Sequence, residues 1–163
     1  MFDIRPATDG DLPGIFAIFE DAVRTSTAIW IDDPGTIEDR SAWLLLRRSQ
    51  NYPVLVATED KRILGYGSFG DFRPYEGFRG SVEHSIYVAR EAQRRGVGRA
   101  LLTALVASAR KLGKRVLVAA VESNNTASIE LHLSFGFRET GRLPGVGEKF
   151  GRTLDMVLLQ REL

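Results

Sequence analysis

Ser81-Val82-Glu83-His84-Ser85-Ile86-Tyr87-Val88 runs through Ala89-Arg90-Glu91-Ala92 into Gln93-Arg94-Arg95-Gly96-Val97-Gly98-Arg99, which opens an apolar-periodic segment reaching Ala109. The first segment is dense in β-branched and aromatic residues and predicts a strand. In the last, Leu101, Leu102, Leu105 and Val106 recur at helical spacing. Between them lies a turn with two glycines and three arginines. The unit is a strand, an anion-binding turn and a helix. Unpaired N–H groups at the helix start and the helix macrodipole both favour negative charge there. Gly96 and Gly98 let the backbone come close to a ligand.

The rest of the chain is placed around this unit. Its 163 residues predict one domain, spanning 1–163, with enough chain for a sizeable core. A formal net charge of +1 argues against nucleic-acid or anionic-membrane partners, so the arginines of the turn form a local feature. Cysteine is absent, which excludes disulfides, thiolate metal sites and a cysteine nucleophile. Met1 to Pro6 lacks a signal-peptide apolar region, and no apolar run approaches the ~20 residues that span a bilayer. A soluble cytoplasmic protein is expected.

Taken in order, Phe2 to Arg5 predicts a strand stopped by Pro6. Thr8 or Asp9 can cap a helix with Leu12, Ile15, Phe16 and Phe19 on its apolar face. A loop carrying Trp30 follows, as core plug or pocket wall. Thr36 caps a second helix to about Arg48. Pro53–Thr58 and Ile63–Phe69 predict a hairpin, with Gly65, Gly67 and Gly70 marking a bulge or a close backbone contact. After the 71–80 loop, the central strand and its helix, Lys114–Val121 reads as a buried strand. Asn124 or Asn125 caps a helix that Gly136 ends. Phe137–Arg142 predicts a strand, Leu143–Gly147 a loop and Thr153–Leu159 a last strand. This order predicts an α/β three-layer sandwich: a mixed sheet with helices on its faces.

The turn is not a dinucleotide fingerprint, because the third glycine and the following acidic residue are missing, nor a P-loop, because Gly-Lys-Ser/Thr is missing. Gln93-x-x-Gly96-x-Gly98 after a strand ending in Tyr87-Val88 instead resembles the acetyl-CoA-binding motif of the GNAT N-acetyltransferases. Asn125, Ser128 and Gly136-Phe137 resemble that family's C-terminal signature, with His132 where most members carry Tyr. Val82–Val88, Arg73-Pro74, His132 and Leu143–Gly147 with Lys149-Phe150-Gly151-Arg152 are similar to the phosphinothricin acetyltransferase branch. Thr27–Trp30 and Gly70–Arg79 are more similar to the methionine sulfone and methionine sulfoximine acetyltransferases. The resemblance covers essentially the whole chain. It implies a mostly antiparallel GNAT sheet, acetyl-CoA as co-substrate without a metal, a detoxification role and a homodimer.

On that resemblance, acetyl-CoA is expected on Ile86, Tyr87, Val88, Arg94, Arg95, Gly96, Val97, Gly98, Arg99 and Asn125. An α-amine is largely protonated at neutral pH and must lose a proton before it attacks a thioester. Glu83 can take that proton, directly or through water. The N–H groups around Ile86 to Val88 can polarise the thioester carbonyl. His132 stands at the family's general-acid position and would assist the leaving thiolate. His84 alternates away from Glu83 on the strand, and the two histidines do not make a metal site.

The substrate is expected to be a small amino-acid analogue held by Trp30, Arg73, Pro74, Tyr75, Glu83, His84 and Ser85. Arg73 is the candidate for its carboxylate and Arg79 the competitor. Trp30 and Tyr75 would wall the side chain. Three other activities remain open: phosphinothricin acetylation, acetylation of protein N-termini and non-catalytic acyl-CoA sensing.

Overall fold

The computed structural model describes residues 1–163. One seven-stranded sheet runs in the order β1-β2-β3-β4-β5-β7-β6. Its strands are β1 (Asp3–Pro6), β2 (Val54–Glu59), β3 (Arg62–Asp71), β4 (Ser81–Val88), β5 (Val116–Glu122), β6 (Arg138–Lys149) and β7 (Arg152–Glu162). Four helices join them: α1 (Leu12–Thr25), α2 (Ile37–Ser49), α3 (Val97–Lys111) and α4 (Thr126–Ser134). Every neighbouring pair is antiparallel except β4 and β5. The mixed, mostly antiparallel sheet and the element order match the sequence reading.

Local chemistry explains the helix ends. Thr36 begins α2 with a reciprocal capping box to Asp39. Asn125 caps α4 by accepting the Ser128 N–H at 3.2 Å. Gly113 (φ 68°) and Gly136 (φ 78°) follow α3 and α4 in the left-handed region. Thr8 does not cap α1 directly. A 3-10 turn, Asp9–Asp11, intervenes, and Asp11 reaches back to the Thr8 N–H.

The helices cover both faces. One cluster buries Leu101, Leu102 and Leu105 of α3 against Leu64, Val82, Leu117 and Leu159. The other buries Ile15, Phe19 and Val23 of α1 and Leu44 of α2 against Val54, Val56 and Tyr66. Gly65 and Gly67 are the close contacts expected of them. A Cβ on Gly65 would lie 3.3 Å from Leu101 Cδ1, and one on Gly67 3.0 Å from Leu105 Cδ1, so the glycines seat α3 on β3.

A second expectation, after the α1 cap, also fails. Leu143–Gly147 is not a loop outside the sheet but part of β6, whose pairing with β7 shifts between Leu143 and Gly147. β6 lies at the edge of the sheet, where a proline and an irregular register remove no ladder bond the core needs.

Candidate active site

The site begins where β4 and β5 stop pairing. Their bridges join Ser81, Val82 and Glu83 to Val116, Leu117 and Val118 and go no further. The other edge of β4 stays paired with β3 as far as Val88. Ala89 donates its N–H to Leu64 O, so by strand alternation the N–H groups of Ile86 and Val88 point the opposite way, into the gap. A cavity of about 980 Å³ fills that gap. Its wall takes in His84 to Val88, the start of α3, the end of β5 from Ala119 to Glu122, and His132 on α4. It also takes in Ile18 and Thr25 of α1 and reaches Ser26 and Ala28 in the loop beyond. The cavity therefore passes through the sheet from one face to the other.

On the α3 side the wall is a cradle for an anion. Gly96 (φ 84°) is the residue before α3, and no side chain caps the helix. The first helical bond there is Ala100 N–H to Gly96 O, which leaves the N–H groups of Val97, Gly98 and Arg99 without a helical acceptor. Arg94 and Arg99 are exposed on the rim. A Cβ on Gly96 would meet nothing within 4 Å. These free donors and this open space suit the pyrophosphate of a CoA ester. Arg95 departs from expectation. It is absent from the wall and turns to the Glu59 carboxylate, at 2.7 and 2.9 Å.

The two carriers of proton chemistry sit on opposite faces of β4. Val82, Ile86 and Val88 pack with the α3 cluster and Tyr87 with the α1/α2 cluster, which puts Glu83 and Ser85 on the α1/α2 face. Glu83 is half-buried, and burial raises its carboxyl above the ordinary glutamate range against the opposing pull of Arg73. It lies outside the cavity wall proper. His84 faces α4, as the alternation predicts. There its Nε2 lies 3.0 Å from His132 Nε2, while His132 Nδ1 donates to Ser128 O at 2.6 Å.

The predicted substrate residues are less gathered. Tyr75 is 69% exposed, and Pro74 is exposed beside it. Arg73 donates to Phe72 O and lies over the Phe72 ring. Trp30 does not line the cavity. Its indole N–H donates to Thr27 O, and its ring lies where a Cβ on Gly147 would be, 2.2 Å from Cε3. The ring plugs the α1–α2 loop onto β6.

Three residues given no role from sequence complete the surroundings. Lys149 is buried and donates its Nζ to the carbonyls of Val23 and Ile29, fastening the same loop. Glu122, buried at the end of β5, accepts from Asn124 N–H at 3.1 Å and Thr27 Oγ1 at 3.3 Å. The signal for it was a carboxylate ending the apolar run Val116–Val121. The Arg47 guanidinium lies on Gly70, where a Cβ would be 2.6 Å from an Nη, and Gly70 is the register partner of Glu83. An arginine on the inner face of α2 was the readable hint.

Comparison with known proteins agrees with this geometry. The Acetyltransferase (GNAT) family pattern matches residues 15–137. An L-methionine sulfoximine/L-methionine sulfone acetyltransferase of Pseudomonas paraeruginosa is 51% identical over 161 residues, covering 98% of this chain and 94% of that protein. A phosphinothricin N-acetyltransferase of Alcaligenes faecalis is 41% identical, covering 98% of this chain and 82% of its own. A putative acetyltransferase from Salmonella typhimurium, solved with its cofactor acetyl-CoA, superposes with a TM-score of 0.98 at 46% identity, over 99% of this chain and 94% of that one.

Proposed function

This chain belongs to the GNAT family of acetyltransferases, and on that premise we propose that it moves the acetyl group of acetyl-CoA to the α-amine of a small amino-acid analogue, L-methionine sulfone or L-methionine sulfoximine. The observation that carries the reading is the parting of β4 from β5. It leaves backbone donors facing a cavity that opens on both faces of the sheet, with a half-buried carboxylate on one of them.

The thioester enters from the α3 side. The free N–H groups of Val97, Gly98 and Arg99 hold the pyrophosphate, with Arg94 on the rim and the Asn125 amide beside α4. The N–H groups of Ile86 and Val88 lie along the pantetheine arm and polarise the carbonyl under attack. The substrate ammonium approaches from the α1/α2 side. Glu83 removes its proton, and a raised carboxyl is a stronger base for that task than an ordinary glutamate. Arg73 binds the substrate carboxylate. Its charge already reaches Glu83, and the amine and carboxylate of an α-amino acid share one carbon. His132 stands on the cavity wall at the general-acid position the resemblance implies, and serves the departing sulfur once a proton reaches its Nε2.

The α1–α2 loop, held by Trp30, Lys149 and Glu122, closes the substrate end. The enzyme works as a cytoplasmic homodimer. Exposed Tyr75, Phe78, Val146 and Phe150 supply the apolar surface a partner subunit would cover. A screen of amino-acid analogues for CoA release tests the whole reading. No release with any α-amine at saturating acetyl-CoA would overturn it. Phosphinothricin is the second substrate to try, because a relative of that name is 41% identical.

A further inference from the structure

The chain contains two histidines, and the fold brings them together. The rings stack with centroids 5.0 Å apart, and Phe137 closes against both, 5.8 Å from His84 and 5.0 Å from His132. Both side chains are buried. Counting donors decides the tautomers. The Ser128 carbonyl can only accept, so His132 Nδ1 carries a proton. A neutral imidazole has one N–H, so His132 Nε2 offers a lone pair. The 3.0 Å contact is then a hydrogen bond donated by His84 Nε2. His84 Nδ1 is left with a lone pair, buried and without a partner. Burial opposes a charge on either ring: it holds His84 down to about 3 and lowers His132 as well.

We propose that His84 is a positioning residue for the acetyl transfer: by donating Nε2–H to His132 Nε2 it fixes that ring as the Nδ1–H tautomer and ties β4 to α4 across the gap in the sheet. The role rests on the acetyltransferase reading, whereas the tautomer rests on geometry alone. The neutral pair holds two ring protons, and both are engaged within the protein. While the pair is neutral His132 therefore has no free N–H to offer a sulfur. The substrate ammonium loses two protons in becoming an amide, one to Glu83, and the other is the proton that must reach the pair before it can leave on the thiolate.

With two histidines in the chain, ¹⁵N-histidine labelling of the full protein gives a spectrum of two rings. At neutral pH the parent should show one ring protonated at Nδ1 and one at Nε2, both neutral, and H84Q should assign the Nδ1–H signal to His132. A His132 ring protonated at Nε2 in the parent would overturn the proposal whether or not the protein is active. The kinetic arm uses H84L, which removes the donor, and H84Q, whose amide can restore it. H84L should lower kcat at least tenfold with KM for acetyl-CoA changed less than threefold, and H84Q should recover most of that loss. Equal losses in both variants, or a parental kcat in H84L, would refute a role through the hydrogen bond. If H84L does not fold, the parent spectrum and H84Q decide.

Discussion

Replacing Gly98 tests the anion cradle most directly, because two substitutions there separate space from charge. A Cβ at Gly98 would lie 3.5 Å from Leu131 Cδ2 and 3.8 Å from Val88 Cγ2, both ordinary contacts. Gly98 is helical, with no positive φ to relax, so Gly98→Ala fits where it stands. Gly98→Asp fits almost as well but brings a negative charge to the free N–H groups. At ~5 Å and an effective dielectric of ~40, each phosphate charge would cost about 1.7 kcal/mol. Two such charges make a loss on the order of 10²-fold in acetyl-CoA affinity, before screening. Calorimetric titration with acetyl-CoA is the assay. The alanine variant should bind within about threefold of the parent, since a neutral methyl in open contact changes little. The loss in the aspartate variant should shrink as salt rises, as a Coulomb effect must. An aspartate variant that binds as tightly as the parent would refute the cradle. One that binds poorly with no salt dependence would refute its electrostatic basis.

Glu83→Gln should keep acetyl-CoA binding and lower kcat by ~10²–10⁴-fold, the usual cost of a lost general base. In the parent, kcat should fall as pH drops through the Glu83 pKa, which burial has raised above the ordinary glutamate value, and that acid limb should vanish in the variant; an unchanged profile would exclude Glu83 as the base. For substrates, kcat/KM should rank methionine sulfone and sulfoximine above phosphinothricin, because a second anion beside a carboxylate already committed to Arg73 is left poorly paired. A clear preference for phosphinothricin would overturn that ranking. Asp11 accepts from both Nη atoms of Arg5 and from Thr8, and these bonds, Arg5 first, hold its pKa down to about 2 from 3.8. Its contribution to stability is therefore fully present above the unfolded pKa and lost as pH falls through the folded one. Thermal melts should show Asp11→Asn with a lower Tm at neutral pH and a shallower fall than the parent towards pH 2.

Motifs that act through neighbours in the chain were legible. The strand, turn and helix from Ser81 to Ala109, the Thr36 cap, the Asn125 cap and the glycines after α3 and α4 stand where composition and spacing put them. The comparisons agree with the family resemblance. Distant contacts were not legible. His84 and His132 are 48 positions apart and meet only because α4 is carried back over β4 once β5 has paired parallel to it. Arg95 carried the same signal as Arg94, a cation in a glycine turn, but Glu59 on β2 was within its reach. Trp30 read as plug or wall from its size, and Gly147, 117 positions on, decided for plug. Pro144 and Gly145 read as loop because turn chemistry is local, whereas tolerance for them comes from β6 having a free edge.

The parting of β4 from β5 has a mechanical side. Three residue pairs join the β1–β4 part of the sheet to the β5–β7 part. The cradle at the head of α3 rests on the first part, while α4, with His132, rests on β5 and β6. On the proposed reading, a thioester lying in the gap would touch both plates and take up the donors of Ile86 and Val88 that no strand satisfies. The co-substrate would then do the work of a missing eighth strand: with it bound, the two plates should open and exchange their amide protons as one unit, and without it as two.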